Sequence, residues 1–179
     1  MARLPYINRE DLAEKDREIF DRIAAERGRV ANVFRMMANA PNLLRRYFEW
    51  SVELRTKTLL DPILRELAIM TVGRLTGANY EFTHHWNIAR KLGVPREKLE
   101  KLAEYDKSDL FDEHERAVIR YAAEATREVK VSDATFDALR AFLDNRRLME
   151  LILNVASYNL IVRLLVPTQV ELEPGVNRD

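Results

Sequence analysis

An all-α fold is predicted for this 179-residue chain by three features. Glycine and proline are scarce, five and six residues respectively, whereas a strand-rich chain needs a turn every ~8–12 residues. Apolar residues recur at three- and four-residue steps, as in Ala117, Val118, Tyr121, Ala122, Ala125 and Val129, which is the stripe of a helix. No pair of alternating apolar segments marks a hairpin.

The elements follow in order. A first helix is expected over roughly 10–27, capped by Asn8 and supported by acidic residues in its first turn. A short apolar helix covers Asn32–Asn39 and ends before Pro41. Asn42–Lys57 forms another. Asp61 as N-cap and Pro62 at the first helical position open a helix to about Thr76. Gly77 breaks the chain, and Asn79 to Leu92 forms the next helix, stopped by Gly93. Val94-Pro95-Arg96-Glu97 starts a short helix to Glu104. Asp112–Lys130, Ser132–Asp144 and Arg146–Leu165 complete the set, with an extended tail after Pro167. The whole chain reads as one helical domain, 1–179.

Composition excludes several functions. Lys+Arg and Asp+Glu both number 29, so the electrostatic footprint of a general nucleic-acid binder is missing. With no cysteine there is no disulfide, zinc–thiolate site, iron–sulfur cluster or thiol nucleophile. No uninterrupted apolar run reaches the ~18–20 residues of a membrane span, and the first twenty residues lack the apolar region of a secretory leader. A cytoplasmic protein without nucleic-acid or membrane partners is expected. Gly-x-Gly-x-x-Gly, P-loop and Gly-x-Ser-x-Gly motifs are absent.

The least generic stretch is Gly77-Ala78-Asn79-Tyr80-Glu81-Phe82-Thr83-His84-His85-Trp86. On a helix, Glu81 and His85 are i,i+4 neighbours. If Gly77 turns the chain back, Glu66 of the preceding helix faces both. Two carboxylates around one imidazole form a proton-handling set, one orienting the ring and the other tuning or relaying. By spacing alone, a buried Glu–His pair filling a polar hole is the favoured reading. Two carboxylates should outweigh desolvation, so His85 is expected to titrate above the ordinary ~6.5. His84 points about 100° away. Glu81-Phe82-Thr83-His84 is half of the Glu-x-x-His pair used by di-metal bundles; the second half is missing, so no metal is assigned. Arg45-Arg46, Arg74 and Arg146-Arg147 read mainly as solvated surface rather than anion anchors.

Three segments together resemble the carboxymuconolactone decarboxylase / alkylhydroperoxidase-D-like superfamily: Leu64-Arg65-Glu66-Leu67-Ala68-Ile69, Thr76 through His85, and Ala89-Arg90-Lys91-Leu92-Gly93-Val94. The likeness covers about 41–125, and Glu150–Pro174 is similar to longer members. It implies an alkylhydroperoxidase-D-like helical bundle. The peroxidase branch carries a Glu, a Cys-x-x-Cys pair and a His four residues beyond the second cysteine. Here Glu66 and His85 match, while Ala78 and Glu81 stand where the cysteines would be. The lactone decarboxylase branch has Glu in place of the second cysteine, and this chain keeps that pattern at Glu66, Glu81 and His85.

The resemblance thus implies a catalytic set of Glu66, Glu81 and His85, with Tyr80 and His84 as substrate-binding candidates. It implies no cofactor, a small-molecule acid as substrate or ligand, and lyase-type proton transfer or decarboxylation rather than thiol peroxidase activity. The alternative is a non-catalytic ligand- or partner-binding descendant of a peroxidase. A homo-oligomer, trimer or hexamer or sometimes dimer, is implied too. Independently, Leu151–Val166 is apolar nearly all round, so a core or a partner must bury it.

Overall fold

The structure, a computed structural model, describes residues 1–178. The described residues contain helices and no strand: α1 (Glu18–Arg27), α2 (Asn32–Met37), α3 (Pro41–Thr56), α4 (Pro62–Leu75), α5 (Asn79–Lys91), α6 (Arg96–Glu100), α7 (Glu113–Glu128), α8 (Asp133–Arg140) and α9 (Asn145–Thr168). They divide into two compact units. One comprises Met1–Lys57 with Leu165–Gly175, the other Thr58–Leu164 with the last residues from Val176.

In the first unit α3 packs on α1 and α2. Phe34 and Phe48 meet edge to face at 5.7 Å, and Ile19, Ile23 and Leu44 are fully buried. The segment after α9 is tied back by Glu173, which accepts from the Asn32 N–H at 2.6 Å, and by the Glu171 N–H, which donates to the Tyr6 hydroxyl at 2.8 Å. The start of the chain differs from expectation. Only Glu18–Arg27 is α-helical, preceded by 3₁₀ turns at Arg9–Asp11 and Glu14–Asp16. Asn8 and Asp11 satisfy each other's backbone in a capping box, but Leu12 and Ala13 are extended, so the cap closes one turn rather than starting a helix. Arg45 lies 3.6 Å from Asp16 and 3.7 Å from Glu18, and Arg46 3.0 Å from Glu49.

In the second unit α4 is the central helix, lying against α5 and α7, with α8 on α7. The Asp61 carboxylate accepts from the N–H groups of Ile63 and Leu64, satisfying the open end that Pro62 begins. Leu67, Met70, Trp86, Ala89, Leu99, Leu102, Phe111 and Ile119 form the core. Asp112 caps α7 through a capping box with Glu115, and Ser132 caps α8. The expected helix to Glu104 ends earlier, α6 being followed by a 3₁₀ turn at Leu102–Glu104. Helix α9 is longer than expected and more apolar than a search for uninterrupted runs suggests. Its 24 residues reach a mean hydropathy of 1.5, long and apolar enough to cross a membrane by length and composition, because an averaged window tolerates scattered Asn, Ser and Arg.

Candidate functional site

The site is built on the α4–α5 hairpin, and two glycines make that hairpin. Gly77 has φ +69°, a left-handed conformation that costs a residue with a Cβ about 1–2 kcal/mol. It lets the Ala78 N–H reach the Gly73 carbonyl at 2.8 Å and the Gly77 N–H reach that of Arg74 at 3.3 Å. These two bonds close a Schellman end on α4 and reverse the chain. Gly73 sets the spacing: a Cβ there would lie 3.2 Å from the Phe82 nitrogen, so the two helices touch backbone to backbone. Side chains on facing turns of α4 and α5 therefore meet at short range.

Glu66 of α4 and His85 of α5 do so. The His85 Nδ1 donates to Glu66 Oε2 at 2.5 Å. The Nε2 lies 3.2 Å from Glu81 Oε2, one turn back on α5. The other Glu66 oxygen accepts from Arg65 Nε at 3.2 Å. All three members of the triad are buried. Tyr158 of α9 closes a further side, its ring perpendicular to the imidazole at 4.9 Å between centroids.

Electrostatics follow from that geometry. Burial pushes His85 down, but the charge and hydrogen bond of Glu66, with those of Glu81, outweigh it and raise its pKa to about 9. Burial pushes the Glu66 carboxyl up, and the imidazolium and the Arg65 guanidinium outweigh that, holding it below the usual carboxylate range. At neutral pH the imidazole is thus a cation, with both ring N–H groups donating to carboxylates. Two carboxylates, one imidazolium and the half-buried Arg65 guanidinium sum to zero charge, which makes the burial of the triad tolerable.

The structure brings Glu66, Glu81 and His85 together as the spacing predicts. Tyr80 and His84 meet one turn apart on α5 with their rings tilted by 51° and centroids 4.6 Å apart, on a side of the helix rotated from His85 by about 100°. Sequence reasoning left out two neighbours of the triad. Arg65 could have been found by adjacency to Glu66. Tyr158 is 73 residues from His85 along the chain and has no local signal. Among the described residues no group of three or more His, Asp or Glu side chains is arranged to hold a metal ion. Arg146 is paired with Glu150 at 3.1 Å and Arg147 with Asp144, as suits solvated arginines.

Comparison with known proteins bears on this arrangement. Residues 41–124 match the model of the carboxymuconolactone decarboxylase family, a span that includes the triad. No curated protein sequence matches the chain. Among solved structures, a peroxidase-related protein from Silicibacter sp. TM1040 is similar at a TM-score of 0.83 and 19% identity, over 98% of this chain and 93% of its own. An alkylhydroperoxidase AhpD core protein, also peroxidase-related, from Ralstonia eutropha JMP134 gives 0.83 and 21% over 97% and 93%. A cysteine-to-alanine variant of the debrominase Bmp8, in complex with 2,3,4-tribromopyrrole, gives 0.82 and 20% over 97% and 95%. At such identities the likeness concerns the fold. Residues 41–124 are thus similar to the carboxymuconolactone decarboxylase family, and the chain as a whole has the alkylhydroperoxidase-D-like helical fold.

Proposed function

We propose that the protein is a cofactor-free enzyme, set in the cytoplasm, that moves a proton at the His85 site, in its most specific form a decarboxylase of a small carboxylated lactone or related acid. The observation that carries this reading is one buried imidazole held between two carboxylates, its proton retained to about pH 9. Loss of CO₂ from the substrate leaves the electron pair of the broken C–C bond in a conjugated carbonyl, as a dienolate. The imidazolium transfers one proton to carbon, and the ring regains a proton from water. Each turnover releases one CO₂ and takes up one proton.

Roles follow the geometry. Glu66, on Nδ1, fixes the ring and keeps it charged. Nε2, with the longer contact, is the donor, and Glu81 is displaced by substrate or relays the replacement proton. Arg65 balances the charge of Glu66. Tyr80 and His84 contribute to substrate binding further around α5. With no cysteine, thiol-based peroxide reduction or thiol-based debromination has no nucleophile here.

The test is a panel of small carboxylated lactones and unsaturated acids in D₂O, following CO₂ release and deuterium at carbon. His85→Gln should lower kcat on the order of 10²–10⁴-fold while the protein remains folded. Full activity in that variant would overturn the assignment. The second reading, ligand binding without turnover, is favoured by the likeness to peroxidase-related folds in a chain that lacks cysteine. Its signature is a melting temperature raised by acids that are never consumed.

A further inference from the structure

Helix α9 carries a row of polar side chains at i, i+4 and i+8: Glu150, Asn154 and Tyr158. Both ends of the row are anchored within the second unit. The Glu150 carboxylate accepts from the N–H groups of Leu59 and Leu60, just ahead of α4, at 2.8 and 2.9 Å. The Tyr158 ring stands against His85, which is bound to Glu66 of α4. Residues four apart on a helix differ by only about 40° in direction and ~6 Å in height. Asn154, midway along the row, is therefore directed at the stretch between Leu60 and Glu66, one turn from the residue that touches the imidazole.

Asn154 is 2% exposed, and its Oδ1 is buried without a hydrogen-bond partner among the described residues. Asn159 on the same helix, by contrast, donates to the Thr126 hydroxyl and to the Val155 carbonyl. A buried acceptor that has given up water and gained nothing in return weakens the fold. A leucine of similar size would fill the same space without that loss. Buried polar groups are almost always paired, so an orphan one turn from a buried ionic triad calls for a donor that the protein itself does not supply.

We infer that Asn154 is a ligand-binding residue of the His85 site, and that the small acid taken there carries a hydroxyl group that donates to the Asn154 carboxamide while its carboxyl end lies against the imidazolium. The inference rests on the reading of the His85 site as the place where a small acid binds, and it adds one group that the acid must possess. The helix sets the spacing of the two groups at on the order of one turn, ~6 Å. Tyr158, half-buried between them, forms the wall along which the carbon frame of the acid runs. Selectivity follows, because an acid without the hydroxyl leaves the buried acceptor unpaired, and a site built around a hydrogen bond rejects the analogue that lacks it.

The full-length protein tests this with two pairs of acids, their affinities read from the shift of the His85 imidazole resonance. One pair is rigid, 4-hydroxybenzoate against 4-fluorobenzoate, which has nearly the same shape and no donor. The other is flexible, 5-hydroxypentanoate against pentanoate. The hydroxy acid of each pair should bind roughly 10–100-fold more tightly than its partner. Asn154→Leu should erase that preference while leaving the urea midpoint unchanged or higher, and Asn154→Ala should erase it too. A residue that merely holds a buried water would leave the preference in place. Failure of both hydroxy acids to move the His85 resonance, equal affinities within each pair, or a preference that survives in both variants would each overturn the inference. The proposed chemistry is judged separately. A hydroxyl preference without turnover of any acid supports the inference and counts against the decarboxylase reading. Turnover of an acid that lacks a hydroxyl, at full rate in Asn154→Leu, overturns the inference and leaves that reading intact.

Discussion

Raising the pH should unlock the second unit at His85. Its pKa rises from an ordinary 6.5 to about 9 in the folded protein, a difference worth about 3 kcal/mol. The sign is set by the direction of the shift. The folded state holds the proton more tightly than the unfolded chain, so this stability is fully present below pH 6.5. It declines from there by about 1.4 kcal/mol for each pH unit and is gone once the pH passes about 9. For a chain of this size the loss should lower the melting temperature by roughly 6–12 °C. Urea unfolding at pH 6, 7.5, 9 and 10 measures it, and the His85→Gln variant should lack the slope. Proton NMR of the three imidazoles gives the titration itself. A His85 midpoint at or below 6.5, or stability flat from pH 6.5 to 9, would refute the claim that the carboxylates outweigh burial.

Three further outcomes are expected. Gly73→Ala sets a methyl group 3.2 Å from the Phe82 backbone nitrogen, which should cost roughly 1–3 kcal/mol in urea unfolding and, by parting α4 from α5, bring the His85 titration back toward 6.5. Val129 has φ +64° with its side chain 83% exposed, so Val129→Gly should relieve strain and stabilise the protein by about 1 kcal/mol, read as a higher urea midpoint. Hydroperoxide consumption with a dithiol reductant should not exceed that of a heat-denatured control, because the chain has no cysteine; robust turnover by metal-free protein would contradict this.

The sequence alone determined the helical class, because scarce glycine and proline and a three-to-four residue apolar period are local properties that tertiary contacts do not reverse. It also determined the α4–α5 site. Asp61, Pro62 and Gly77 mark the hairpin's ends, and the Glu81–His85 spacing puts both on one face before any packing is considered. Residues close in sequence meet for reasons of helix geometry, so Glu66, Glu81 and His85 were legible. Only the tertiary structure decided what surrounds them. Tyr158 reaches His85 from a helix 73 residues downstream, a contact that no local period encodes. The rise of the His85 pKa needed the 2.5 Å approach of Glu66, which depends on Gly73 allowing two backbones to touch. The first helix shortened for the same kind of reason, since the extended backbone at Leu12 and Ala13 is not written in the helix propensity of the residues around it. Nor could an apolar count on α9 say which stripe faces the core. Burial assigns that, because the sequence records how much of a helix is apolar and the fold decides which side water reaches.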